Sequence, residues 1–190
     1  IKKTDNMTLT KTPICNFGEK ANNFDLLSTE NKIVSLDSIK GKKGTLIMFI
    51  CNHCPYVKAV IKDIVKDTNL LKEIGINSVA IMSNDTKNYP EDSFDNMIKF
   101  AKEHSFDFPY LIDKDQKIAK KYAAVCTPDF FGYNSNLQLQ YRGRIRELKE
   151  LKPITTGESE LNIAMKLIAA TGRVPKDQNP SMGCNIKWFS

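Results

Sequence analysis

Two stretches, the continuous apolar run of residues 45–50 and the buried-type strand of residues 78–83, constrain this chain more than any other feature of it. A strand with one face in water alternates apolar and polar side chains, whereas a continuous run such as Leu46-Ile47-Met48-Phe49-Ile50 needs cover on both faces. Between the two stretches Val57, Val60, Ile61, Ile64, Val65, Leu71 and Ile74 recur at helical spacing, and Gly75 stands where a helix commonly stops. A helix is therefore expected over about residues 53 to 74. Pro90, Glu91 and Asp92 open a second one, with Phe94, Met97, Ile98 and Ala101 on one face. Strand, helix, strand, helix implies right-handed βαβ packing.

The remaining elements attach to that unit. Residues 24–27 and 33–36 flank Thr29-Glu30-Asn31 and suit an N-terminal hairpin. Residues 110–112 form a short strand, and Ile118, Ala119 and Tyr122 mark a brief helix before the turn at Thr127-Pro128. Residues 129–133 and 137–142 bracket Asn134-Ser135-Asn136; Leu137, Leu139 and Tyr141 alternate with Gln138, Gln140 and Arg142, which predicts a hairpin with one wet face. Leu161, Ala164, Met165 and Ile168 give a last amphipathic helix closed by Gly172 and Pro175. The fold class is α/β, a central mixed β-sheet flanked by helices with the hairpin as an extension. Residues 1–16 read as an N-terminal arm, residues 17–174 as one domain, and residues 175–190 as a C-terminal tail docked on it through Ile186 and Trp188.

At 190 residues one domain is the expectation. No apolar run approaches the roughly 20 residues that a membrane span needs. The net charge of +6 is scattered from Lys2 to Lys187 without a basic stripe interleaved with aromatics, so no nucleic-acid partner is expected. The five cysteines, Cys15, Cys51, Cys54, Cys126 and Cys184, are an odd number in a chain too large to depend on a disulfide framework. That suits a reducing compartment or a redox enzyme. The sequence opens on Ile1, so a start or a removed signal peptide lies out of view; the cytoplasm is the expected location, with the periplasm as the alternative.

The chemistry concentrates in Cys51-Asn52-His53-Cys54-Pro55, where a buried strand ends and a helix begins. Cys51 near the helix N-terminus faces backbone N–H groups without intrahelical partners, which predicts a depressed thiol pKa. Cys54, three residues on, sits a small adjustment from disulfide distance. His53 near Cys51 favours the thiolate and so the reduced form of the pair. A zinc site would have to recruit Cys15, Cys126, Cys184 or His104, none of which lies in a second close pair, so neither a metal nor any other cofactor is expected.

Several stretches resemble the thioredoxin-like proteins of the alkyl hydroperoxide reductase/thiol-specific antioxidant superfamily, in particular its peroxiredoxin-like thiol–disulfide branch. They are residues 44–57, Ser83-Asn84-Asp85 with Tyr89-Pro90-Glu91-Asp92, residues 125–131, Tyr141-Arg142-Gly143-Arg144-Ile145, and the tail from Pro180 to Trp188. The resemblance implies a thioredoxin fold in which Pro128 is cis and, with Thr127, holds the substrate chain beside the cysteine pair. It also implies a protein or small-molecule disulfide as substrate and a thiol as electron donor.

Two departures bear on activity. Aligning Cys54 with a peroxidatic cysteine puts Ile47 and Cys51 where the peroxide-activating Pro and Thr would stand. Val57 occupies the place of a proton-handling Glu, leaving Glu91, Asp92 and Asp129 as acidic candidates. The expected function is thiol–disulfide exchange in redox homeostasis, with Cys51 as nucleophile, Cys54 as resolver and Cys184 as a candidate auxiliary thiol. The alternatives are a hydroperoxide-reducing antioxidant and a non-catalytic zinc or redox-sensor module.

Overall fold

In the computed structural model, which describes residues 8–190, the first apolar run becomes a strand, Gly44–Phe49, buried along its whole length. Its side chains divide by parity: Leu46 and Met48 enter one apolar cluster, Ile47 and Phe49 another. A strand sends successive side chains to opposite faces, so this division shows a sheet with a core on each side.

In chain order the strands are β1 (Leu9–Lys11), β2 (Asp25–Ser28), β3 (Ile33–Ser35), β4 (Gly44–Phe49), β5 (Ile76–Met82), β6 (Tyr110–Ile112), β7 (Cys126–Thr127), β8 (Asp129–Asn134), β9 (Leu139–Tyr141), β10 (Leu148–Lys149), β11 (Lys152–Pro153) and β12 (Met182–Asn185). The helices are α1 (Leu36–Ile39), α2 (Pro55–Glu73), α3 (Phe94–Glu103), α4 (Lys117–Tyr122) and α5 (Glu160–Thr171). Seven strands form the central sheet in the order β3-β2-β6-β5-β4-β8-β9. β4, β5 and β6 run parallel and the flanking strands antiparallel, giving the expected mixed sheet. Apolar faces of α2, α3 and α5 cover one side; Leu36 of α1 and Ile118, Ala119 and Tyr122 of α4 cover the other.

Several boundaries move for local reasons. Leu36 starts a helix and not the end of a strand, because Ser35 and Ser38 exchange side-chain-to-backbone hydrogen bonds in a capping box. The helix opened by Pro90 divides into a single 3₁₀ turn, Pro90–Asp92, and α3, since the Ser93 hydroxyl caps α3 by accepting from Asn96 N. The predicted wet face of the β8–β9 hairpin is only partly kept: Gln138 and Gln140 are half-buried between the buried Leu139 and Tyr141, while Arg142 and every residue of β8 are buried. The segment before the first hairpin covers the far edge of β9, with Gly18 N donating to Leu139 O and Leu139 N to Glu19 O.

Two strands have no periodicity to announce them. Residues 1–7 of the expected arm lie outside the described residues, but its later part supplies β1, which pairs with β12 of the tail. β12 pairs in turn with β7, so that both ends of the described chain and the segment before Pro128 share one small sheet.

Arg142, expected on the wet face, instead forms a buried ion pair with Asp129 at the start of β8 (Nη2–Oδ2 2.9 Å, Nε–Oδ1 3.2 Å) and stacks 4.4 Å above the Phe131 ring. Asp129 also accepts from Val125 N at 3.1 Å, which ties the chain before the Thr127–Pro128 bond to the strand after it. Removing one partner of a buried, hydrogen-bonded pair leaves the other charge uncompensated. Asp129→Ala is therefore expected to cost about 3–5 kcal/mol of unfolding free energy in urea titration, with an effect below about 1 kcal/mol contradicting this role.

Candidate active site

β4 delivers the chain to the end of the sheet, where Ile50 N still bonds Ile81 O at 3.1 Å before the backbone turns at Cys51. Pro55 occupies the first helical position of α2, where its missing N–H costs nothing, and Cys54 is the N-cap. The Cys54 side chain makes no capping hydrogen bond, although the Val57 backbone N–H adds to the lowering of its pKa. Helix-end stabilisation thus falls on the second cysteine of the pair, whereas the sequence pointed to the first.

Thr127, joined to Pro128 by a cis peptide bond, touches both cysteines. Its Oγ1 lies 3.5 Å from Cys51 Sγ, and its carbonyl accepts from Cys54 Sγ at 3.3 Å. Cys184 of β12 completes the cluster, with Sγ 2.8 Å from Cys54 Sγ. The structure therefore brings Cys51, Cys54, Thr127, Pro128 and Cys184 to one place. Cys15 and Cys126 are buried elsewhere: Cys126 Sγ faces Pro128 O at 3.6 Å, and burial pushes the Cys15 thiol up to about 11.

The cluster reverses the expected order of acidity. Cys51 is 1% exposed and its pKa is raised, by burial first, then by its contact with Cys54 and by the Asp92 charge. Cys54 is the sulfur between the other two, and its interactions with Cys184 first and Cys51 second lower its pKa against burial. The depressed pKa expected for Cys51 thus falls on Cys54 instead.

Beside the thiols is a carboxylate network that spacing did not single out. Asp92, fully buried, lies with Oδ2 2.6 Å from His53 Nδ1, a charge contact in which the ring N–H is not aligned along a hydrogen bond. It accepts from Asn52 N at 2.8 Å and from Asn84 Nδ2 at 2.9 Å, while Tyr110 OH donates to Asn52 Oδ1 at 2.7 Å. The His53 ring stacks on Tyr89 with centroids 6.2 Å apart. Close contact with Asp92 raises the His53 pKa and outweighs partial burial. Of the three acids considered for proton handling, Asp92 alone is at the site; Glu91 contributes its carbonyl to Asn52 Nδ2, and Asp129 is engaged by Arg142.

Cys51, His53 and Asp92 place one ligand atom each within 4.8 Å of one another, the one such group among the described residues. A structural zinc takes four ligands, and both Asp92 oxygens already accept hydrogen bonds. The donor set fits an internal charge network better than a metal.

Residues 17–148 match the model of the AhpC/TSA family. The chain belongs to the AhpC/TSA family. Among solved structures it is similar to an uncharacterized conserved protein from Geobacillus kaustophilus, at 39% identity over 96% of this chain and 97% of that one, with a TM-score of 0.91. A hypothetical protein from Sinorhizobium meliloti 1021 shares 31% identity over 96% of this chain and 100% of that one, with a TM-score of 0.88. At 16% identity and a TM-score of 0.56, a secreted Mycobacterium tuberculosis disulfide oxidoreductase homologous to E. coli DsbE covers 77% of this chain and 95% of its own, sharing the thioredoxin fold. No curated protein matches. Strand β12 and Cys184 lie beyond the residues matched to the AhpC/TSA model.

Asp92→Asn removes the charge that favours the His53 imidazolium, so the His53 pKa is expected to fall. The protonated ring that persists to higher pH in the native protein is then lost at lower pH. An imidazole titration followed by NMR measures this directly, and an unchanged pKa would show that Asp92 does not set the charge on His53.

Proposed function

We propose that the chain is a thiol–disulfide oxidoreductase whose working pair is Cys51 and Cys54. One observation carries the reading: the two thiols meet at the N-terminus of α2 on one residue, Thr127, whose hydroxyl lies 3.5 Å from Cys51 Sγ and whose carbonyl accepts from Cys54 Sγ at 3.3 Å. The interaction of Cys51 with Cys54, the thiol of lower pKa, gives the Cys51 proton a route. When the proton crosses, Cys51 becomes the thiolate and attacks one sulfur of a substrate disulfide; that S–S bond breaks, and the departing thiolate takes a proton from the His53 imidazolium. Cys54 passes its proton to solvent as it attacks Cys51 Sγ. The Cys51–substrate bond breaks, the second substrate thiolate is released, and Cys51–Cys54 is left as an internal disulfide.

The AhpC/TSA family also contains peroxide reducers, but Ile47 and Cys51 stand where the peroxide-activating Pro and Thr would be, so disulfide exchange is the favoured reading. Substrates are disulfides of proteins or small molecules, and a thiol donor returns the pair to dithiol in redox homeostasis. A reducing, cytoplasmic setting suits that cycle.

Cys51→Ser is expected to abolish disulfide reduction, whereas Cys54→Ser accumulates a mixed disulfide on Cys51 that intact-mass spectrometry detects. Equal trapping in both variants would contradict the assigned roles. His53→Leu removes a charge that favours thiolate, and hence the reduced pair, so the reduction potential should become more negative. Equilibration with glutathione measures it, and a shift under about 10 mV, less than a factor of about three in the equilibrium constant, would leave His53 without this role.

A further inference from the structure

We propose that β12 is a substrate tethered to its own enzyme and that Cys184 is a third redox residue, which forms a disulfide with Cys54. The proposal rests on the thiol–disulfide reading above and adds the element that reading lacks, an occupant for the backbone edge beside the cysteine pair.

Thr127 contacts both sulfurs, so an extended segment that pairs with it in antiparallel register presents its opposing side chain to the pair. β12 is such a segment: Cys184 lies opposite Thr127 and Asn185 opposite Cys126. The approach depends on Gly183, because a Cβ there would fall 1.9 Å from Thr127 O and 2.6 Å from its carbonyl carbon. No other residue lets the strand lie so close. Ser181 Oγ donates to Pro128 O at 2.7 Å on one side. On the other, Lys187 N donates to Asn84 Oδ1 at 2.9 Å, Gln116 Nε2 donates to Lys187 O at 2.9 Å, and Ile186 is buried in the core. β1 covers the outer edge of the strand. The strand is thus held by a matched set of contacts, and it covers the thiols it supplies with a third.

The Cys54–Cys184 sulfur separation of 2.8 Å exceeds a disulfide bond of about 2.05 Å by less than about 1 Å. Once substrate has left Cys51–Cys54 as a disulfide, the Cys184 sulfur attacks Cys54 Sγ. The Cys54–Cys184 bond forms, the Cys51–Cys54 bond breaks, and Cys51 departs with the electron pair and takes up the proton that Cys184 gives up. Electrons are conserved within the chain, and the only oxidant consumed is the substrate disulfide. The oxidised chain then holds its disulfide between α2 and the tail, where the thiol donor reduces it.

The test uses the full chain oxidised with glutathione disulfide, quenched with an alkylating agent, and mapped as peptides without reduction. The expected product is a Cys54–Cys184 peptide with Cys51 alkylated, replaced by Cys51–Cys54 in Cys184→Ser. Gly183→Val should displace the strand, lower the Cys54–Cys184 yield and speed alkylation of the pair by about tenfold or more, as expected when a buried site opens locally. If wild-type protein yields only Cys51–Cys54 while Cys184 is alkylated, the tethered-substrate proposal is overturned and the thiol–disulfide reading stands. If neither Cys51 nor Cys54 enters any disulfide, that reading falls and the proposal with it.

Discussion

The carboxylate of Asp92 is the point on which the rest of the site depends. A buried carboxylate is tolerated only where hydrogen bonds and a counter-charge replace its hydration, and Asp92 draws both from two separate segments. Asn52 N comes from the turn after β4, Asn84 Nδ2 from the loop after β5, and His53 from between the two cysteines. Asn84 then extends the network to the tail by accepting from Lys187 N. One buried charge thus couples the cysteine loop, the loop after the neighbouring parallel strand and the segment that carries Cys184.

The thiols obey the same balance with a different outcome. Burial opposes ionisation at every cysteine of the chain, and only the one in contact with several polar neighbours escapes it. Position in the chain does not choose that cysteine. Cys51 and Cys54 share the loop, yet Cys54 is the N-cap residue of α2 and lies against Cys184, whereas Cys51 is raised further by the negative charge of Asp92. The chain's own tail is part of this setting, since β12 lies against β7 and brings Cys184 onto Cys54.

The central sheet was legible because its signal is local. Five consecutive apolar residues from Leu46 to Ile50 can be satisfied only by cover on both faces, and α2 and α5 on one side with α1 and α4 on the other supply it. The hairpin of β8 and β9 was legible in its existence and not in its surroundings. Arg142 alternates like a solvent-facing residue, but a carboxylate thirteen positions earlier in the chain gives it a reason to be buried. Nor did β1 and β12 have a pattern to show: strands of three and four residues bury too little on their own and exist because each has the other's edge, and that of β7, to pair with.

By itself the sequence determined that two covered strands with a helix between them end at Cys51-Asn52-His53-Cys54, because apolar run length, helical spacing and the cysteine interval are properties of neighbours along the chain. It could name Asp92, Thr127 and Cys184 as residues of the right chemistry, but not assemble them. Tertiary structure alone decided that Asp92 and not Glu91 or Asp129 faces His53, that Cys54 and not Cys51 has the lowered pKa, and that Cys184 arrives against Cys54 from 130 residues away. The physical reason is that hydrogen bonds and charge contacts act over a few ångströms in space, and spacing along the chain carries no record of which distant groups folding will bring within that range.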